Sequence, residues 1–266
     1  MARAQSAIEK TFLKEGNISY SNKDTGGLTY LGLAYNKWPQ VDIWPKVFEV
    51  MLSVKPSLRS EQLKQIGTPN GVQITLTQEE ESKINSLLKP LKPNVINFYK
   101  KLFWDVVGGD DILSQTFAES FFDFSVNVGS GTASKILQEY LGVVADGAIG
   151  PKTLTKLNSE LLLNTYNVHI DFTLLKIKRY AKIVEGNSNH LANFHGWLNR
   201  SFEVFDEVFE IEIIENIKEK FPGAIPESLV GDITKLLAIN SANKAYASNK
   251  SPSNLENLHK KIIELI

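Results

Sequence analysis

The sequence predicts a mainly α fold with one small β-hairpin and a C-terminal helical extension. Three observations point there. Apolar residues recur at helical spacing along most of the chain. Ser, Thr, Gly and Pro stand where such stretches should start and stop. Between residues 17 and 33 the period breaks, and Asn, Ser, Asp and Gly alternate with Tyr and Leu instead.

The first helix is expected over about Arg3 to Lys14, because Ala4, Ile8 and Phe12 share a face and Gly16 supplies a stop. A short hairpin within loops follows, from Asn17 to Leu33. Asp42 to Val54 reads as a helix. Residues 55–76 read as an irregular insertion, since Pro56, Gly67, Pro69, Asn70 and Gly71 are all breakers. Thr77-Gln-Glu-Glu80 is a capping box that should open a helix through about Leu88. Pro90 and Pro93 should separate it from a helix over Asn94 to about Trp104.

Gly108-Gly109 marks a joint. Phe117, Phe121, Phe124 and Val128 form one stripe of a buried helix, broken by Gly129-Ser130-Gly131. Further helices are expected over Ala133–Tyr140, Pro151 to about Leu163, Asp171–Val184 and Leu191 to about Phe221. Residues 222–252 read as a looser region, with Pro222, Gly223, Pro226 and Gly231 and the polar run "NSANKAYASNKSPSN". Ser253-Asn-Leu-Glu256 reads as a second capping box that opens the last helix.

Composition bounds the function. The 266 residues are 42% hydrophobic and 22% charged, with net charge -1 and no cysteine. This is an ordinary globular make-up. It argues against nucleic acid as a partner and excludes disulfides and thiolate metal sites. The four histidines lack metal-ligand spacing, and His195 is expected to pack near Trp197. No apolar run is long enough for membrane insertion, and the N-terminal residues lack the apolar core of a secretory signal peptide.

Glu15 is out of place in this pattern. It falls three residues after Phe12 and seven after Ile8, on the apolar side of the first helix and in its last turn. The carbonyl end of a helix favours cations, and apolar surroundings disfavour ionisation. Both effects should raise the pKa of a carboxyl there, which suits a general acid in glycoside hydrolysis. The alternative is a solvated Glu that bends away from the core.

The segment "EGNISYSNKDTGGLTYLGLAY" resembles the signature of glycoside hydrolase family 108, the N-acetylmuramidase family of phage endolysins and secretion-linked muramidases. The correspondence runs through Glu15-Gly16, Tyr20, Asp24, Gly26-Gly27 and Thr29, and the family's catalytic glutamate matches Glu15. "FYKKLFWDVV" over 98–107, "FFDFSVNVGSGTASKILQEYLGVVADGAIGPKTL" over 121–154 and "FHGWLNR" over 194–200 are similar to later parts of the family, the second to its peptidoglycan-binding-like region. Asn17 departs from the family, which commonly has a second glycine there. Residues 201–266 carry no resemblance.

The resemblance implies a lysozyme-like helical fold and a division into a muramidase region over 1–106, a peptidoglycan-binding-like helical region over 107–200 and a C-terminal helical extension over 201–266. It implies that Glu15 protonates the glycosidic oxygen of bacterial peptidoglycan after N-acetylmuramic acid, without metal or cofactor. A protein made in the bacterial cytoplasm would then reach the cell wall or periplasm by holin-type or secretion-system release. Asp24 and Thr29 could place water or stabilise charge at the sugar, or could serve turn chemistry. Tyr20, Tyr30 and Tyr99 could stack on sugar faces or fill the core, while Trp104 is expected to be structural. Asp123 and Asn127, one helical turn apart, could orient substrate or hold neighbouring loops. The Asp146–Thr153 turn supports the fold alone. Two other readings remain open at this point: a catalytically silent wall-binding or secretion-accessory protein, and a helical interaction protein.

Overall fold

The computed structural model describes residues 2–15, 17–21, 26–71, 73–209 and 227–266. The architecture is mainly α with a small three-stranded antiparallel sheet. Two compact units divide the chain: Ala4–Asp105, and Val106–Ile266 together with Met1–Arg3. Asp24 and the acidic stretch from 210 onward fall outside the described residues, up to 226 in the latter case.

In the first unit, α1 (Ala4–Glu15) leads into β1 (Ile18–Ser19), β2 (Thr29–Tyr30) and β3 (Leu33–Ala34). The expected hairpin is one part of a larger element. Ile18 pairs with Tyr30 and Ser19 with Thr29, and a second pairing sets Thr29 against Ala34 and Tyr30 against Leu33. The β2–β3 loop is Leu31-Gly32, with φ of 48° and 76°. Two residues at positive φ give the twist that a two-residue hairpin needs, although leucine adopts it at a steric cost. Leu31 N–H donates to the Asn17 carbonyl at 3.1 Å, so the loop is tied back to the entrance of β1.

Helix α2 (Trp44–Val54) begins two residues later than its sequence pattern suggested. The 55–76 segment is mostly irregular but holds a short helix, α3 (Ser60–Lys64), and it buries Leu63, Ile66 and Ile74. Then α4 (Gln78–Leu88) opens on the expected capping box: Thr77 Oγ1 accepts from Glu80 N–H at 3.1 Å, and Thr77 N–H donates to Glu80 at 2.8 Å. The prolines do not separate α4 from α5 (Lys92–Tyr99) as expected. A single 3-10 turn, Lys89–Leu91, joins them, because Pro90 and Pro93 each sit in a first turn, where a missing N–H costs little. Beyond Tyr99 the coil widens through Lys100–Trp104, and Asp105 N–H reaches back to the Lys100 carbonyl at 2.9 Å.

The second unit is helical throughout its long elements. Ser114 caps α6 (Gln115–Val128), accepting from Phe117 N–H at 3.2 Å. The break after it is one residue: Gly129, at φ 85°, leads straight into α7 (Ser130–Leu141). After α8 (Pro151–Leu163), α9 (Thr165–Gly186) runs for 22 residues, longer than its apolar stripe suggested. Then come α10 (Leu191–Phe209), α11 (Glu227–Ser248) and α12 (Pro252–Leu265). The core gathers Phe117, Phe121 and Phe124 around Phe172, at ring separations of 4.9, 5.8 and 5.8 Å.

Three expectations fail here. Much of 222–252 is not loose: α11 buries Ile233, Leu236 and Ile239 against neighbouring helices. Two of its asparagines, Asn240 and Asn243, are interior. Asn243 donates to Asn199 at 2.7 Å and meets His195 Nδ1 at 2.7 Å. His195 therefore packs on Asn243 and Tyr246 rather than near Trp197, which stacks on Tyr180 at 5.0 Å. The last helix is capped two residues early, by Ser251, which accepts from Asn254 N–H at 3.1 Å and leaves Pro252 in the first turn.

Candidate active site

Glu15 is the last residue of α1, and its backbone enters β1 within three residues. The sheet that follows is fixed to α4 by three polar contacts spaced along one helix face. Ile18 N–H donates to Asn85 Oδ1 at 3.1 Å. The Tyr20 hydroxyl donates to the Glu81 carboxylate. The Tyr30 hydroxyl donates to the Leu88 carbonyl at 2.8 Å. Residues 81, 85 and 88 follow the i, i+4, i+7 repeat, so they form one stripe. Glu81 and Asn85 carry this support and were not singled out from the sequence. Their helical spacing beside the capping box was the available signal.

The connection into β2 is equally constrained. Gly27 has φ 73°, and a Cβ there would stand 2.4 Å from the Ile66 carbonyl and 2.5 Å from Asn36 Nδ2. Asn36 itself donates to Ile66 at 2.9 Å, so the glycine packs against an occupied hydrogen bond. Thr29 Oγ1 donates to the Gly27 carbonyl at 3.3 Å and is half-buried.

The tyrosines divide by exposure. Tyr20 is half-buried, and burial together with the Glu81 carboxylate pushes its phenol up to about 12. Tyr30 is only 3% exposed, and burial raises its phenol to about 12. Tyr99 is buried against Phe98 and Phe103, and burial raises it as well. Trp104 is fully buried. All four phenol or indole rings belong to the first unit.

Asp123 and Asn127 lie on α6 in the second unit. Asp123 forms an ion pair with Arg200 at 2.9 Å, and the two side chains are 10% and 15% exposed. Asn127 donates to the Asp123 backbone carbonyl at 2.8 Å. Arg200 closes the "FHGWLNR" segment, and a buried aspartate's need for a partner was the signal for it. The Asp146 turn is organised by buried Gln138, which donates to Asp146 at 2.8 Å and accepts from Gly147 N–H at 2.8 Å.

Residues 8–129 match the family described as Glycosyl hydrolase 108. Those residues form the glycosyl hydrolase 108 region of the chain. Residues 132–202 match the Predicted Peptidoglycan domain. With the hydrolase region the chain is a glycoside hydrolase, and the peptidoglycan match that follows makes it a peptidoglycan hydrolase in general terms. Among solved structures it is similar to one titled "Structure of Brucella abortus SagA", at 20% identity, with 76% of this chain and 90% of that chain covered and a TM-score of 0.48. No curated protein matches it. Among the described residues, no helix is long and apolar enough to cross a membrane.

Proposed function

We propose that this protein cleaves the β-1,4 bond after N-acetylmuramic acid in peptidoglycan, with Glu15 as the general acid. The observation that carries this reading is the place of Glu15. It ends α1, precedes a sheet pinned to α4, and falls inside the glycosyl hydrolase match. A carbonyl helix end favours the protonated form of a carboxyl, which is the form that can donate. The proton goes to the glycosidic oxygen, so the leaving sugar departs as an alcohol while positive charge develops at the muramic acid ring. This step needs no metal or cofactor.

Tyr20 and Thr29 are the half-buried side chains we assign to the cleft wall, with Asp24 on the connection between them. Tyr30 and Tyr99 we assign to packing behind that wall, because their rings are interior. Asp123 and Asn127 we assign to holding the second unit together, since the carboxylate is spent on Arg200.

Bond choice can be read from the products. Digested walls, reduced with borohydride and analysed by mass spectrometry, should carry reduced muramic acid ends. Reduced glucosamine ends would refute the muramidase assignment. Walls that are bound but left uncut would fit a silent wall-binding protein on the same fold.

A further inference from the structure

A cavity of about 340 Å³ opens in the second unit, apart from the residues assigned to catalysis. Its floor is one face of α9. Asp171, Leu174, Leu175 and Lys178 line it, and their i, i+3, i+4, i+7 spacing places them in a row. The row has a fixed order of chemistry: an acid, two apolar side chains, then a cation. Seven residues at 1.5 Å each set the two charges about 10 Å apart along the helix. Tyr140 from α7, with Asp232 and Lys235 from α11, lines the acidic end, and Ile266 lines the cavity as well.

The acidic end sets two carboxylates against one cation, Lys235, which also lines the cavity. The Tyr140 hydroxyl donates to Asp171, which leaves further acceptor positions on that carboxylate. Asp232 faces Asp171, and its only cation among the described residues is Lys235, at a long 3.5 Å. Burial, reinforced by the Asp232 charge, holds the Asp171 carboxyl above its ordinary range despite the Tyr140 hydrogen bond. An added cation would relieve that repulsion. At the other end, Lys178 is exposed and makes no ion pair among the described residues.

We propose that this groove binds a short peptide by its free ammonium and free carboxylate, the ammonium at Asp171 and Asp232 and the carboxylate at Lys178. An extended chain covers about 3.3–3.6 Å per residue, so three residues span the row. Leu174 and Leu175 suit small apolar side chains in the middle. A free amino acid is too short to reach both ends. The inference does not depend on the role of Glu15.

The test uses the full chain, with trialanine as probe and binding followed by calorimetry or by NMR shifts. Trialanine should bind, and N-acetyl-trialanine and trialanine amide should each bind roughly tenfold more weakly, the usual worth of one charged hydrogen bond. Asp171→Asn should erase the difference between trialanine and its acetylated form. Lys178→Gln should erase the difference between trialanine and its amide. Neither variant should alter wall cleavage. Equal binding of blocked and unblocked peptides, or trialanine binding unchanged by both substitutions, would overturn the proposal, as would no binding at millimolar concentration. Competition by purified walls would assign the site to peptide ends within peptidoglycan. Binding without such competition would assign it to free peptide.

Discussion

Gly27 leaves no room for a side chain, and its φ of 73° favours glycine even where room exists. Gly27→Ala would drive a methyl group into the Ile66 carbonyl and the Asn36 amide. The left-handed backbone alone should cost about 1–2 kcal/mol, with the clash added to it. The variant should lower the urea midpoint and reduce wall cleavage together, because the strand it leads into belongs to the sheet that follows Glu15 in the chain. An unchanged midpoint would contradict the geometry. The sequence made this glycine visible as part of a Gly-Gly pair, but not which carbonyl it meets, since Ile66 lies 39 positions away. Asp123 shows the same limit. Local spacing marked it as a buried acid, yet its partner Arg200 sits 77 residues on. Glu15 is the opposite case, because helix arithmetic alone reaches the end of α1.

At the scale of elements, patterns carried by neighbouring residues were legible and long-range ones were not. The Thr77 capping box was read directly, since both partners lie within four residues. The α11 helix was missed because its asparagines looked like loop residues. Asn240 and Asn243 are interior, and Asn243 is held by Asn199 and His195 from α10. The cap of α12 was misplaced for a subtler reason: Ser251 and Ser253 both offer a hydroxyl, and Pro252 between them decides the register by favouring the first turn. The two registers predict different outcomes. Ser251→Ala should cost about 1 kcal/mol, while Ser253→Ala should be nearly neutral. Chemical denaturation of both variants checks this. A larger loss at Ser253 would restore the register expected from sequence.

At the scale of the whole molecule, stability should fall in mild acid. His169 is buried on α9 with its ring edge toward Phe117, and burial, aided by the Lys176 charge, lowers its pKa to about 4. The unfolded chain binds a proton near 6.5, whereas the folded chain does so only near 4. Between those values the unfolded state holds more protons, so stability drops as pH falls from about 6.5 to about 4, by up to roughly 3 kcal/mol. His169→Phe keeps a ring beside Phe117 and removes the titration, so it should flatten this part of the pH profile. A profile of the same slope in the variant would assign the acid sensitivity elsewhere.

The central claim is that one proton, held at Glu15, cuts the wall. Glu15→Gln keeps nearly the same shape and removes that proton. We predict that the purified variant loses clearing of cell-wall suspensions by about 10²–10⁴-fold, the usual worth of general acid catalysis, while its circular dichroism and its sedimentation with walls stay as in the native protein. A Glu15→Gln protein that clears walls at the native rate would contradict the account.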